Sequence, residues 1–467
     1  MTKKLFKEMN MTEGNLFAKI GLFALPLFLA TVLQLLYSTV DLVTVHFMGG
    51  GQSSMAAVAA NGALINLVIV VFANMSMGSN VAIGNAKGAG EHDKAKKILH
   101  TSFLVSIISG IAVGIIGFFT SRLLLELMKT DAHIIDLATT YLKIYFLGMP
   151  FLMIYNYLSQ IMRAIGNSST PFFILLISGI FNVVADIAFV AWFKMDVAGV
   201  AIATVISEVI SALLSTLYFF IDKSSYVVFK WKEMRIDKGA LKEIVRLGLP
   251  AGLQGFFFAL PNVFIQAKLY TIAPDNPDLQ DGAIAASNIE SYIYAGIEAI
   301  FAATMSFTAQ NYGAKKIKNI DKIYGYSLIW NFMFCAVVAL VIIFANRSLL
   351  GLFVDTEQAF VSGKERLMVI GLTYCLDGVM DITSSTIRGC RRSMFPMITT
   401  LIGCTVVRII LLETVFNIPY FHTVGWLYSV YPITWIITAA ANIVAMIIIL
   451  KKVKLEFGEK TQPLSQN

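Results

Sequence analysis

Gly88-Ala89, Lys97-Ile98, Arg163 and Pro171 recur as Gly313-Ala314, Lys322-Ile323, Arg388 and Pro396, each pair 225 positions apart. The stretch 88–171 therefore overlays 313–396 with its internal spacing kept. Both stretches sit among long apolar runs, the pattern of a duplicated membrane protein. Duplicated bundles place a ligand site between the repeats and alternate access around it. The repeat thus points to transport before any other motif is read.

Composition agrees. Of 467 residues, 57% are hydrophobic and 14% charged, and the mean hydropathy is +0.73. A soluble domain carries about 25% charged residues, so this chain must use lipid as its solvent. Its apolar runs exceed the ~20 residues that cross a bilayer as a helix. The basic N-terminus (Lys3, Lys4, Lys7) reads as a cytoplasmic end, and no cleavable signal peptide is expected before the first span. Cys335, Cys375, Cys390 and Cys404 form no CxxC pair, so neither a disulfide framework nor a zinc site is expected. The net charge of +7 is spread over loops on one side and is no nucleic-acid signal.

Twelve spans are predicted, at roughly 16–47, 54–86, 98–127, 135–164, 171–193, 197–221, 242–272, 281–312, 322–353, 364–388, 395–418 and 422–451. Helices are required, because a closed barrel would show short alternating segments. Basic loops follow the second (Lys87, Lys94, Lys96, Lys97), sixth (Lys223, Lys230, Lys232, Arg235, Lys238), eighth (Lys315, Lys316, Lys318, Lys322) and tenth spans (Arg388, Arg391, Arg392). The loop at 273–281 carries Asp275, Asp278 and Asp281 instead. The positive-inside rule places both termini and all the basic loops in the cytoplasm of a multi-pass plasma-membrane protein. Six spans per half give parallel repeats: an N-lobe at 1–221, a linker at 222–241, a C-lobe at 242–451 and a tail at 452–467.

A carboxylate inside the membrane is costly and marks function. Asp41 lies eight residues before Gly49, about 12 Å below the predicted outer end of the first span. Asp186 lies eight residues before Lys194 on the fifth span, at the same depth of about 12 Å. Asn182 shares its helix face. Thr204 on the sixth span and Tyr141 on the fourth fall at a similar level. Carboxylate, amide and hydroxyl oxygens suit a hard cation, and two adjacent carboxylates suit a reversible proton carrier. Asp41, Asn182, Asp186, Thr204 and Tyr141 therefore read as a proton site or, at the first four, a sodium site. Interhelical hydrogen bonding without transport is the alternative. Pro26, mid-helix below Asp41, reads as a hinge or as a static kink; Pro250 holds the corresponding place in the second half.

The second half lacks this constellation. Adding 225 maps Asp41 to Gln266, Asn182 to Val407 and Asp186 to Leu411, beside Arg408. A buried arginine repels a coupling cation, so the site belongs to the first lobe. Asp377 either pairs with Arg408 or attracts an organic cation. Glu290, Glu298, Glu208 and Asp381 are further intramembrane carboxylates. Gln34 and Phe258 join Asp377 and Arg408 as candidates for the substrate cavity or the C-lobe. No HExxH, CxxC or nucleotide motif is present, so an enzyme is not expected and no cofactor is called for.

Taken together, the pattern resembles the multidrug and toxic compound extrusion (MATE) family over essentially the whole chain. The resemblance rests on Tyr-Ser-Thr-Val-Asp41, Gly88-Ala89 with Gly313-Ala314 after Ala309-Gln310, Arg163-x-x-Gly166 with Pro171, and Arg388-Gly389 with Pro396. It implies two six-helix lobes around a central cavity, and export of amphipathic, often cationic compounds against proton or sodium entry. It implies roles in ion coupling for Asp41, Asn182, Asp186 and Thr204, with Tyr141 nearby, and a bending role for Pro26. Some members carry a seventh-span glutamate where this chain has Phe258, which argues against a second-lobe sodium site of that kind. The partners expected are small amphipathic molecules and the bilayer, with the chain acting as a monomer. The alternatives are a lipid-linked precursor flippase, which would want a cationic cavity, or a narrow-substrate metabolite exporter.

Overall fold

The computed structural model describes residues 8–458 apart from 224, 273 and 275. Lys3, Lys4, Lys7, Asp275 and the predicted tail from 459 onward lie outside the described residues. Among those described, all regular structure is helical.

The first span is Leu16–Met48, and the second is Gln52–Met75 continued by Met77–Gly88. The third to sixth are His92–Leu127, Ile135–Ala164, Ser169–Ile187 with a wide π turn at Ala188–Trp192, and Asp196–Ile221. The seventh to ninth are Lys238–Ile272, Pro277–Gly313 and Ile317–Leu350. The tenth is broken into Glu357–Val369 and Tyr374–Gly389. The eleventh runs Met394–Thr400, a π turn at Leu401–Val406 and Val407–Glu413; the twelfth is Val424–Glu456.

Eleven helical stretches among the described residues are long and apolar enough to cross a membrane. The eighth span falls short on apolarity because it carries Asp278, Asp281, Glu290 and Glu298. Most of its residues are buried, so protein rather than lipid surrounds it. Elsewhere large apolar side chains face outward, such as Phe119 at 79% and Phe344 at 82% exposure. Such a surface is stable only against hydrocarbon.

The sequence repeat is also a backbone repeat. Gly90 and Lys315, 225 apart, both take positive φ (72° and 56°), as do Gly166 and Arg391 (97° and 64°). Each closes a helix in the same way. The Glu91 N–H donates to the Ala86 carbonyl as Lys316 does to Asn311, and Asn167 donates to Met162 as Arg392 does to Ile387. A left-handed residue after the last turn, followed by such a long return bond, is how a helix satisfies its final carbonyls.

The chain divides into two compact units, residues 8–10 with 25–252 and residues 11–24 with 253–458. The first span changes unit just before Pro26, and the seventh just after Pro250. In the second unit the Phe17 ring stacks on Trp330 at 5.1 Å, and the Trp330 Nε1–H donates to the Phe17 carbonyl at 2.9 Å. In the first unit the second and seventh spans meet backbone to backbone. A Cβ added at Gly248 would lie 2.1 Å from the Met75 carbonyl oxygen, and one at Gly78 would lie 2.3 Å from that of Ile244. Small residues permit this approach, which is how helices associate in lipid. Gly248→Leu is therefore expected to cost about 1–3 kcal/mol or more, read as a lowered thermal midpoint in detergent. Gly325→Leu, where the added Cβ meets nothing within 4 Å, is expected to leave that midpoint unchanged.

The segment between the sixth and seventh spans belongs to the first unit. The Lys230 N–H donates to His100 Nε2 and the Asp237 N–H to Thr101 Oγ1. Asp237 also caps the seventh span by accepting the Ala240 N–H, which holds its carboxyl below the ordinary carboxylate value.

Candidate functional site

Asp196 sets the level of the site. Its carboxylate accepts the Gly50 N–H (2.8 Å) and the Ser54 hydroxyl (2.7 Å). These bonds pin the turn after the first span to the start of the sixth. Counting back from Gly49 and forward from Asp196, eight residues lead to Asp41 and Thr204. Eight residues of helix descend about 12 Å, so both side chains arrive at one depth.

There the Asp41 carboxyl lies within electrostatic reach of the Asp186 carboxyl, with Thr204 beside it. Tyr141, on the fourth span, lies within electrostatic reach of both carboxyls. Asp41, Tyr141 and Asp186 are buried, Asp186 completely. Asp41 Oδ1 and both Asp186 oxygens meet no donor from any other residue among those described, and the Thr204 hydroxyl itself donates to the Val200 carbonyl. Two ionised carboxylates face to face repel strongly in a low dielectric. Only a shared proton or a bound cation makes the contact stable. Asn182, one turn before Asp186, is buried with its Nδ2 unpaired. The geometry thus brings Asp41, Asp186, Thr204 and Tyr141 together and leaves Asn182 one turn away with free amide capacity.

Two further features of the site were not read from the sequence. The hydroxyl end of the Tyr37 ring, one turn before Asp41, lies against Gly179, one turn before Asn182; a Cβ at Gly179 would stand 1.9 Å from that ring. This contact fixes how closely the first span approaches the fifth. Glu208, one turn below Thr204, is buried over Gly148 with Oε2 unpaired. A tyrosine four residues before an aspartate and a glycine three before an asparagine could have flagged the first of these as a matched pair.

The second unit holds a different arrangement. Asp377 is fully buried and neither of its oxygens has a hydrogen-bond partner. Arg408 forms no ion pair with it; its Nε and Nη2 donate to Thr434 Oγ1 (3.2 and 2.8 Å), and its guanidinium lies 4.5 Å over the Tyr431 ring. Arg408 nevertheless places a positive charge within electrostatic reach of Asp377. Asp381 accepts the Tyr294 hydroxyl, and Arg388 donates to Gln254 Oε1. Phe258 packs into the apolar cluster around Trp435 and Tyr428. Gln34, in the first unit, is exposed. Glu290 is neutralised by Arg366 through two parallel bonds of 2.8 Å. Among the described residues no group of three or more His, Cys, Asp or Glu side chains is arranged to hold a metal ion.

Comparison with known proteins matches residues 26–188 and 281–414 to the family model MatE, once in each half of the chain. The probable multidrug resistance protein YpnP of Bacillus subtilis is 27% identical over 405 residues, covering 86% of this chain and 89% of the relative. The probable multidrug resistance protein NorM of Thermotoga maritima is 25% identical over 398 residues, covering 83% and 82%. A solved outward-facing structure of a multidrug resistance MATE family transporter of the MOP superfamily superposes with a TM-score of 0.86. That match is 21% identical in sequence and covers 96% of this chain and 100% of the other; it speaks for the fold.

Proposed function

The chain belongs to the MatE family, and from that membership we propose that it is an ion-coupled antiporter. It exports amphipathic, often cationic organic compounds from the cytoplasm across the plasma membrane, with both termini and the basic loops inside. The observation that carries this reading is the buried Asp41 and Asp186 pair, of which Asp41 Oδ1 and both Asp186 oxygens have no hydrogen-bond partner among the described residues. The names of the relatives support drugs as cargo.

In this reading Asp41 and Asp186 take up a proton or a sodium ion from outside and release it inside. For sodium, Asp41, Asp186 and Thr204 supply oxygens at one level and Asn182 turns its amide oxygen toward them. Tyr141 orients Thr204. Loading displaces the outward–inward balance only to the extent that the ion binds one state better than the other. One net charge crossing 100 mV supplies about 2.3 kcal/mol, which a neutral cargo gains in full, whereas a monovalent cation exchanged one for one is driven by the ion's concentration gradient alone. Pro26 acts as the hinge: it removes a backbone hydrogen bond where the first span changes unit, so Asp41 and the residues below Pro26 can move separately. The N-lobe carries the coupling, while Arg408 occupies the second lobe with a fixed positive charge.

Expression in bacterial cells lacking their own efflux pumps tests this. Cells carrying the protein should retain less of a cationic dye, and dissipating the ion gradients should abolish the difference. Unchanged dye retention with the protein present in the membrane would refute the export reading. Gly179→Val, which would push Tyr37 away from the fifth span, is expected to lower gradient-driven export about tenfold or more with the protein still inserted. Gly179→Ala is expected to have a smaller effect in the same direction.

A further inference from the structure

We propose that a groove on the second unit, between the start of the eleventh span and the last turns of the twelfth, binds one anionic phospholipid of the cytoplasmic leaflet. The groove has a volume of about 290 Å³ and is partly open. Its floor is one face of the twelfth span, where Ala441, Ala445, Ile448 and Lys452 follow at intervals of four, three and four residues, with Val444 beside Ala445. Phe395 forms the facing wall, and Arg392 stands with Lys452 at the basic end. Val444 and Ile448 are half exposed, so the groove is apolar and open along its length.

Its dimensions fit a lipid rather than a free anion. From Ala441 to Lys452 the helix rises about 16 Å, close to half the ~30 Å hydrocarbon thickness of a bilayer. An acyl chain laid along Ala441 and Ala445 would bring its headgroup to Arg392 and Lys452. Free phosphate would gain nothing from that floor.

The charges select an anionic headgroup. Lys452 has no carboxylate partner within 4 Å among the described residues, whereas Arg392 has only Glu456 at 3.6 Å. Glu456 is itself half exposed, and exposed pairs contribute little, so Arg392 can turn to a phosphodiester. A choline ammonium would meet two like charges. Basic pockets between helices on the cytoplasmic side are the usual means by which membrane proteins hold such headgroups. The charges are not inherited from the duplication: by the same offset of 225, Arg392 corresponds to Asn167 and Lys452 to Val227.

The test uses the full chain reconstituted in nanodiscs of phosphatidylcholine with or without phosphatidylglycerol, and native mass spectrometry reads the lipid retained after extraction. The wild-type chain should keep one phosphatidylglycerol in preference to phosphatidylcholine. Arg392→Gln with Lys452→Gln should weaken that retention about thirtyfold, the ordinary worth of two basic residues beside an anionic surface. Arg392→Lys with Lys452→Arg should restore it, and Ala445→Trp should block the groove with both charges intact. Dye export by the wild type, assayed in parallel, keeps failure of the lipid site distinct from failure of the transport reading. Equal retention of both lipids, or unchanged preference in the double glutamine variant, would overturn the proposal. Displacement of the lipid by glycerol 3-phosphate would make this a simple anion site and overturn it equally.

Discussion

Asp41→Asn is expected to bring gradient-driven export down to background while the protein still inserts and folds. The substitution keeps the size and planarity of the side chain and removes only its ability to ionise. Asp41 Oδ1 and both Asp186 oxygens have no hydrogen-bond partner among the described residues, so on the proposed function a proton or cation held by the pair is exchangeable. An asparagine amide would supply Asp186 with a permanent donor. The pair would then neither load nor unload. Asp186→Asn should act alike from the other side, because the exchange belongs to the pair and not to either residue. Thr204→Val should cost less, because its hydroxyl donates to the Val200 carbonyl rather than to Asp41. Dye efflux from energised vesicles, with the membrane content of each variant measured alongside, checks all three. Wild-type export by Asp41→Asn would remove this site from the mechanism.

Arg366→Met is expected to be the most destabilising single change in the second unit, at about 3–5 kcal/mol. Arg366 holds Glu290 through two parallel bonds of 2.8 Å, and both side chains are about nine-tenths buried or more. Its guanidinium also lies 5.3 Å over the Tyr428 ring. Removing it strands a carboxylate between the eighth and tenth spans. Because the loss comes from the stranded charge, Glu290→Leu combined with Arg366→Met should recover most of the stability, as replacing a buried pair by apolar groups often does. The exposed Arg122–Glu126–Asp136 cluster offers the contrast: Arg122→Ala should change stability by only about 0–1 kcal/mol. Thermal unfolding in detergent separates these cases, and equal losses for Arg366→Met and the double variant would contradict the explanation.

Much of this was legible in the sequence for a physical reason. Apolar runs of bilayer length admit only helices, and a duplicated pattern at 225 positions implies duplicated helix ends. The left-handed residues Gly90 and Lys315, and Gly166 and Arg391, are where that implication becomes geometry. Helical rise alone also puts Asp41, Asp186, Thr204 and Tyr141 at one depth.

What escaped notice depends on contacts between residues far apart in the chain. Asp196 bonds Gly50 and Ser54 across more than 140 positions, and Arg366 bonds Glu290 across 76. Neither pair follows a helical or strand period. The Tyr37–Gly179 contact was hidden because a glycine inside an apolar span looks the same whether it faces lipid or a ring. The low apolarity of the eighth span has the same root, since its Glu290 is compatible with a buried helix only through a partner that the local sequence does not contain.

The most direct test of ion-coupled antiport is organic-cation transport by the purified protein in proteoliposomes, under an imposed pH gradient and, separately, under a sodium gradient. Transport driven by one gradient, and lost in Asp41→Asn, is the predicted result and names the ion. A folded protein that moves no cation under either gradient would contradict the proposed function.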